Sequence, residues 1–425
     1  MSDNATMFLI ICSAMVLFMT PGLAFFYGGL VRASSVVSMM MMSFGSLALV
    51  GTLWVVFGYA MSFGTAGAGH FVGIDGVFGF DTDKLFLADV FQQAKTGSGF
   101  NLVFAGFQGT FAIITVALIS GAIADRARFG AWMVFAALWA TSAYFPIAGW
   151  VFNATFDANG HIVAGGWLIK DVGLLDFAGG TVVEVACGAG ALAVALVVGK
   201  RFGFSKGMHA PHNVPLTLIG AGILWFGWFG FNAGSALAAN GLASLAFINT
   251  FVAPVGGLIT WSIYDRLRHG KPTAVGAASG AIAGLVAITP SCGFLTPIWS
   301  LVLGCLVGVV CAFAIELKYV LGFDDSLDVV GIHLVGGAIG TLYIGVVGTK
   351  VGLLESGSFS QLGAQAIGVL AVGIWAFATA WVIAFAIQKT IGFRVKSTDE
   401  IAGVDLVVHG ETAYSEADPR WRWTP

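Results

Sequence analysis

The stretch DFAGGTVVEVACGAGALAVALVVGKR, residues 176–201, sets the fold class of the chain. Its segment 177–199 is a run of apolar and small residues, and a membrane-spanning helix needs about 20 such residues at a rise of about 1.5 Å each. The run ends at the basic pair Lys200 and Arg201, and one carboxyl group, that of Glu184, interrupts it. We therefore predict a transmembrane helix over 177–199 with an ionisable residue inside it.

The composition extends this prediction to the whole chain. Of the 425 residues, 58% are hydrophobic and only 10% are charged, whereas soluble domains carry about 25% charged residues. A disordered chain is excluded because such chains are poor in apolar residues. The net charge of −3 and the absence of a basic block argue against a nucleic-acid partner. The protein is predicted to be an integral membrane protein.

Apolar segments between polar breaks predict an all-α membrane protein with eleven transmembrane helices. We expect the residues 1–390 to form the transmembrane domain and the residues 391–425 to form a cytoplasmic tail. The eighth span is short and rich in Ala and Gly, so its ends are the least well defined. The predicted spans are 5–31, 36–63, 100–124, 129–151, 177–199, 214–236, 241–264, 273–289, 294–317, 329–348 and 362–388.

The basic residues predict the orientation. Fifteen of the 19 Lys and Arg residues follow odd-numbered spans, and the remaining four are Lys84, Lys95, Lys170 and Lys350. Because cytoplasmic loops carry an excess of Lys and Arg, we expect the N-terminus outside and the C-terminus in the cytoplasm of a multi-pass cell-membrane protein. An odd number of spans is required to keep this segregation.

Two ionisable residues lie inside predicted spans, where each is a functional candidate because charge is costly in a membrane. Glu184 follows Asp176 by eight residues, and His333 follows Asp328 by five residues, each ahead of a Gly- and Ala-rich run. These segments lie five spans apart, which predicts an inverted repeat of spans 1–5 and 6–10, with the eleventh span outside it. We expect the pair within hydrogen-bonding reach at the repeat interface, in a conducting or proton-passing role; the alternative is a pair that only pins two helices.

Several further segments identify a family resemblance. The stretch 176–201 resembles the signature of the ammonium transporters of the Amt/MEP/Rh superfamily, and the matches run from the first span to the tail. The other matching segments are PGLAFFYGGLVR (21–32), FQGTFAIIT (107–115), GWFGFNAGS (227–235), GAASGAIAGLVAITP (276–290), DVVGIH (328–333) and VDLVVHGETAY (404–414).

The resemblance to the Amt branch implies a homotrimer in which each subunit has its own pore for ammonium and methylammonium. It implies recruitment of the cation at the outer mouth, loss of its proton, and passage of neutral ammonia through an apolar pore, with the proton relayed by Glu184 and His333. By motif position the implied roles are an aromatic gate for Phe111 and Phe231, an outer hydroxyl for Ser235, pore lining for Trp228 and Ser279, an electrostatic role for Asp176, and the paired-histidine positions for Glu184 and His333.

The chain departs from the family pattern at two positions. The usual first histidine of the pore pair is Glu184 here, as in some fungal relatives, and we expect an altered selectivity or pH response. The outer aromatic, usually Trp in a PIAHxxW-like stretch, is Phe152 in PIAGWVF (146–152), with Trp150 two residues earlier. Phe is a weaker cation-π partner than Trp, and the sequence leaves open which of the two forms the outer site.

There are three alternatives to this function. The first is an ammonium sensor with little transport, although the tail is too short for a fused signalling domain. The second is an Rh-type channel for neutral ammonia. The third, an enzyme, is disfavoured because the sequence has no nucleophile–base pair, metal-ligand spacing or phosphate loop, so no cofactor or metal is predicted. In the family, the tail segment 404–414 couples the subunits and is the region where a PII-type regulatory protein docks.

Overall fold

The computed structural model describes residues 3–64, 70–97, 99–157, 161–204 and 210–414. Eleven long helices dominate these residues. We number them α1 to α11: Asp3–Leu30, Ala33–Ser62, Phe100–Ile123, Phe129–Phe152, Gly180–Val198, Val214–Gly234, Gly241–His269, Ala274–Ile288, Pro297–Leu321, Val330–Val347 and Ser360–Thr390.

The eleven helices coincide with the predicted spans, which confirms the all-α membrane fold. In the described part of the chain, ten are at least 18 residues long and apolar enough to cross a membrane, and α8, with 15 residues, is the short one. That the eleven helices make eleven crossings, and which face is cytoplasmic, remain predictions. The basic residues Lys206, Arg420 and Arg422 and the loop residue His209 lie outside the described residues.

One face of the molecule, here the outer face, carries two β-hairpins. Strands β1 (Phe71–Ile74) and β2 (Phe78–Asp81) are antiparallel, as are β3 (Ala154–Phe156) and β4 (Ile162–Gly165). The hairpins contact each other, since Trp167 N–H donates to Gly76 O. The same face carries the short helices Thr82–Leu87, Ala88–Thr96, Leu168–Val172 and Leu353–Ser356.

The opposite, inner face is held together by buried ion pairs. The fully buried Arg126, between α3 and α4, donates to the backbone of Asp324, between α9 and α10, and to Gly199 O after α5. Asp324 also accepts from Arg201 at 3.0 Å. The tail helices Ser397–Ala402 and Val404–His409 lie on this face as well. Loops that alternate along the chain therefore share one face, as an alternating series of spans requires.

Helices α5 and α10 cross closely because glycine lies at their contact. A Cβ atom added to Gly337 of α10 would lie 2.7 Å from the Glu184 Cβ atom, and one added to Gly188 of α5 would collide with the Leu334 backbone nitrogen. Small residues let membrane helices approach in this way. Both helices begin with a π-helical turn, Gly180–Val185 in α5 and Val330–Leu334 in α10. This likeness agrees with the predicted inverted repeat.

Candidate transport site

Two phenylalanine rings from α3 and α6 stack on one another. The Phe111 and Phe231 ring centroids are 4.0 Å apart with 19° between their planes, and both side chains are fully buried. Phe107 meets Phe111 edge-on at 4.8 Å, and Trp228 lies 5.8 Å from Phe231. The predicted gate residues are thus in contact, and their stacked rings leave no open passage between them.

The π-helical turns of α5 and α10 bring Glu184 and His333 together. His333 Nδ1 lies 2.6 Å from Glu184 Oε2, and both residues are buried. The other carboxyl oxygen, Glu184 Oε1, has no hydrogen-bond partner among the described residues. The predicted contact is therefore present, and one buried acceptor atom remains available.

A small cavity lies between the stacked rings and this pair. Its volume is about 20 Å³, which is enough for a single water-sized molecule. Glu184, His333, Trp228 and Phe231 line it, and the rest of the lining is mostly aliphatic and aromatic. The Trp228 indole N–H donates to Thr289 Oγ1 at 2.7 Å, so that polar group is already satisfied. Apart from the Glu184–His333 pair, the cavity is a poor environment for an ion.

Asp176 stabilises the start of α5. Its Oδ1 accepts from the N–H groups of Gly179 and Gly180 at 2.8 and 2.7 Å, and its Oδ2 accepts from Thr181 N and Thr181 Oγ1 at 2.7 and 2.5 Å. A carboxylate in this position satisfies free N–H groups and compensates the positive end of the helix dipole. Asp176 thereby fixes the turn that carries Glu184.

The equivalent residue in the second half is Asp325, not Asp328 as the sequence pattern indicated. Asp325 precedes His333 by eight residues, as Asp176 precedes Glu184, and its Oδ2 accepts from Val330 N at 2.7 Å. At the fourth position of each segment, Gly179 and Asp328 both have a positive φ, of 113° and 65°. The correction has a physical reason: the capping carboxylate must lie several residues ahead of the N–H groups it accepts from.

The two aromatic residues of PIAGWVF, Trp150 and Phe152, lie in different surroundings. The Phe152 ring meets Phe111 edge-on, with 6.4 Å between centroids. Trp150 is buried elsewhere, because its indole N–H donates to Val77 O of the first hairpin and its ring packs against Trp167 and Trp375. Of these two residues, Phe152 is therefore the one whose ring lies against the stacked pair.

The two serines are less directly placed. Ser235 is partly exposed at the end of α6, one turn beyond Phe231, and its hydroxyl donates to Phe231 O at 2.9 Å, which leaves its oxygen free to accept. Ser279 is buried on α8, three residues before Ile282, which lines the cavity; Ser279 itself is not among the side chains that line it.

Comparison with known proteins agrees with this geometry. Residues 7–414 match the profile of the Ammonium Transporter Family. The chain belongs to the ammonium transporter family. An ammonium transporter of Mycobacterium tuberculosis is 44% identical over 433 residues, covering 97% of this chain and 90% of the relative. An ammonium transporter of Bacillus subtilis is 40% identical and covers 98% of this chain and all of the relative.

Solved structures extend the similarity to three dimensions. Mep2 of Candida albicans has a TM-score of 0.83 at 33% identity, with 99% of this chain and 92% of that chain covered. A structure titled Sensor Amt Protein has a TM-score of 0.86 at 28% identity, with coverages of 96% and 98%. The chain is thus a multi-pass cell-membrane protein of a family of transporters, which are not enzymes.

The first helix also lines the cavity, with residues that were not assigned a role from the sequence. Met19, Leu23, Phe26 and Tyr27 of α1 line the cavity together with Leu224 of α6. The signal was present, because Phe26 and Tyr27 lie within PGLAFFYGGLVR, one of the segments that carried the resemblance. The family motif assigns these residues neither a gate role nor an ionisable role, so only their position in the fold identifies them as part of the cavity lining.

Two groups of side chains are close enough to hold a metal ion. Glu184, Cys187 and His333 bring one ligand atom each within 4.8 Å of one another, and so do His70, Asp81 and Asp83 on the outer face. Each group contains one short contact: His333 Nδ1 lies 2.6 Å from Glu184 Oε2, and His70 Nδ1 lies 2.6 Å from Asp81 Oδ1. In the described structure, two of the three members of the first group therefore form a hydrogen-bonded pair.

Proposed function

We propose that the protein moves ammonium by binding the cation at the outer face, removing its proton and passing ammonia through the apolar cavity. The observation that carries this proposal is a hydrogen-bonded Glu184–His333 pair in a cavity for one small molecule, behind stacked phenylalanine rings. An ion entering this cavity would lose nearly all of its hydration, which is far more costly than for neutral ammonia. Selectivity then follows from deprotonation rather than from size.

Recruitment begins with Phe152, Ser235 and Asp176. An aromatic face attracts a cation, and the free acceptor side of the Ser235 hydroxyl accepts a hydrogen bond from it. The carboxylate of Asp176 is engaged by backbone groups, so it acts through its charge rather than by contact. The stacked rings of Phe111 and Phe231 lie between the hydrated outer site and the cavity. They must move apart each time a molecule passes.

The proton follows a separate route through the pore pair. Glu184 Oε1 is a buried acceptor without a partner among the described residues, and Glu184 Oε2 is bonded to His333. A carboxyl and an imidazole in contact exchange a proton without large movement, and together they pass it from one side of the pair to the other. Movement of this proton alongside ammonia makes transport electrogenic.

Currents evoked by ammonium test this proposal. Full-length protein in liposomes on a current-recording surface receives ammonium pulses, with labelled methylammonium uptake measured in parallel. We expect a current in the wild type, at least about a tenfold loss in Glu184→Ala because a proton-transfer group is missing, and a current with altered selectivity and pH profile in Glu184→His. Identical current, selectivity and pH profile in all three proteins would contradict the relay. Uptake without current indicates neutral passage.

A sensor is the second candidate, because a structure titled Sensor Amt Protein shares the fold with a TM-score of 0.86. The same liposome experiment separates it from a transporter. Ammonium binding without current and without methylammonium uptake would favour the sensor. Matched protein amounts and a proton-leak control are needed so that an inactive preparation is not mistaken for a sensor.

We further infer that the tail regulates the pore from the inner face, within a homotrimer. Glu400 is buried and accepts from Phe202 N at 2.6 Å and from Arg394, and Asp405 accepts from Val37 N and Ser38 N at the start of α2. A tail held by buried carboxylates is positioned to transmit the docking of a PII-type protein. Cross-linking and native mass spectrometry test the trimer, and current with and without added PII-type protein tests the regulation.

A further inference from the structure

A buried lysine lies at the inner end of α10 and has no part in the proposed transport cycle. Lys318, near the end of α9, is only 2% exposed. Its Nζ donates to Asp325 O at 2.9 Å and to Asp328 Oδ1 at 2.5 Å, and it lies 5.5 Å from the centre of the Tyr319 ring. Burial of an ammonium group is costly unless the group is paired, and these contacts provide that pairing.

The environment of Lys318 is the inner counterpart of the outer recruitment region. Asp325 and Asp328 precede His333 as Asp176 and Gly179 precede Glu184, and both segments cap a π-helical turn. The two ends differ in their cations. Among the described residues Asp176 forms no ion pair with a lysine or arginine, whereas the inner segment holds the Lys318 ammonium.

The chemistry of the lysine terminus explains why this difference matters. A lysine side chain ends in a primary alkylammonium, which is the functional group of methylammonium and differs from ammonium by one carbon substituent. Its donors occupy Asp325 O and Asp328 Oδ1, acceptors that a free ammonium ion would use. The buried Asp325 Oδ1 still has no partner among the described residues, so this segment retains capacity to accept from a cation.

We propose that Lys318 is a tethered alkylammonium that occupies the inner counterpart of the outer cation position and lowers the affinity of the inner mouth for ammonium. This inference rests on the proposed function, in which Asp176 attracts the cation at the outer mouth. The equilibrium distribution across the membrane does not change, because a passive pore obeys the gradient. What changes is the ammonium concentration that half-saturates transport from the inner face, which Lys318 raises. Ammonium that forms at the inner mouth is therefore released rather than held there.

The wild-type protein gives the first test, without any substitution. Full-length protein is reconstituted into giant vesicles, and ammonium-evoked currents in excised patches are recorded with ammonium on one face at a time. We expect the half-saturating concentration at the inner face to exceed that at the outer face by about three- to fivefold, a modest effect because Asp328 offsets most of the Lys318 charge. Equal values at the two faces would overturn the inference.

Substitutions at Lys318 give the second test. In Lys318→Met we expect the inner value to fall by about three- to fivefold while the outer value stays unchanged. Lys318→Arg retains the charge and should keep the wild-type ratio. The double variant Lys318→Met/Asp328→Asn removes a carboxylate together with the cation and should return the ratio toward that of the wild type. A Lys318→Met protein that is active with an unchanged ratio contradicts the proposal.

Failure of this inference is distinguishable from failure of the proposed function. If ammonium on either face evokes neither current nor methylammonium flux, the transport proposal has failed. If both faces support current with the same half-saturating concentration, transport stands and only the role of Lys318 is rejected. If Lys318→Met does not fold, equal half-saturating concentrations at the two faces of the wild type would still reject the role of Lys318.

Discussion

The capping segments of α5 and α10 have the same geometry in different electrostatic surroundings. At the outer end, the half-buried Asp176 accepts from three backbone N–H groups and the Thr181 hydroxyl within 2.8 Å, and no ion pair with it is present among the described residues. At the inner end, Asp325 is fully buried and caps Val330 N while Lys318 and Asp328 share its surroundings. One segment leaves its charge available to a mobile cation, and the other has an internal cation.

The inner face as a whole is built for cohesion. Burial lowers the pKa of Arg126 to about 10, with the charge of Asp324 opposing the shift, so the guanidinium remains protonated. Burial would raise the pKa of Asp324, but Arg126 and Arg201 outweigh it and hold that pKa below its usual value. For Asp325 burial dominates and raises the pKa to about 6. Charges at this end hold loops together, whereas Asp176 has no Lys or Arg partner within the described part of the chain.

The largest expected difference between the two ends comes from neutralising their capping carboxylates. Asp176→Asn loses the charge that attracts the cation and part of the cap, so we expect ammonium current from the outer face to fall at least about tenfold, as for loss of hydrogen bonds to a charged group. Asp325→Asn should change the outer half-saturating concentration by less than about twofold, since Lys318 already screens that site. An equal loss of outer-face ammonium current in Asp176→Asn and Asp325→Asn would mean that the two carboxylates act only as helix caps.

A smaller effect is expected from Gln365 of α11, which is specific to the outer end. Its side chain is buried, accepts from Leu175 N at 2.9 Å, and donates to Leu175 O at 2.7 Å and to Thr341 O of α10 at 3.0 Å. Gln365→Leu leaves the N–H and C=O groups of Leu175 without this partner, at about 1–3 kcal/mol each, so the segment that carries Asp176 loosens. We expect a lower midpoint of thermal unfolding and a severalfold higher outer half-saturating concentration.

The matched control for this prediction is Gln361→Leu. Gln361 lies one turn earlier on α11, is more exposed, and donates to Gly173 O and to Gln365 Oε1. Gln361→Leu leaves the bonds of Gln365 to Leu175 and Thr341 in place, so an equal shift of the half-saturating concentration in both variants would mean that those bonds do not fix the position of Asp176.

Most of the fold was predictable from the sequence because membrane helices are recognisable by their length and hydropathy. The eleven helices lie within a few residues of the predicted spans, and the contact of Glu184 with His333 was expected from the repeat. The start of α5 was misplaced by three residues, at Phe177 instead of Gly180, because the capping turn of Asp176 is as apolar as the helix it precedes. Hydropathy does not distinguish a turn from a helix.

The finer parts of the site depended on side-chain partners that sequence spacing does not reveal. Asp325 and Asp328 both lie ahead of His333, and only the acceptance from Val330 N identifies Asp325 as the cap. The buried position of Trp150 required knowledge of Val77 O on a hairpin about 70 residues away in sequence. The role of Gln365 was not predictable for the same reason, since its partners come from the segment before α5 and from α10.

The outer aromatic residue Phe152 gives the next prediction, which concerns the outer end alone. Phe152→Trp restores the stronger cation-π partner beside Phe111, so we expect the outer half-saturating concentration to fall by about two- to fivefold, corresponding to about 0.5–1 kcal/mol at a partly exposed site. The inner value should not move. Trp150→Phe removes the bond to Val77 O and serves as control, with no change in the outer value expected. An effect of Trp150→Phe equal to that of Phe152→Trp would return Trp150 to the outer site.

The smallest expected effect comes from one hydroxyl that distinguishes the two caps. Thr181 occupies the position, five residues after the capping aspartate, that Val330 occupies in α10, and only Thr181 adds a side-chain donor, at 2.5 Å from Asp176 Oδ2. Thr181→Val therefore makes the outer cap resemble the inner one. Loss of this bond costs about 1 kcal/mol, and we expect the ammonium current from the outer face to fall about twofold. The control is Val330→Thr, which should leave that current unchanged. A large loss in Thr181→Val would mean that the hydroxyl contacts the cation itself, and the two caps would then differ in chemistry as well as in charge.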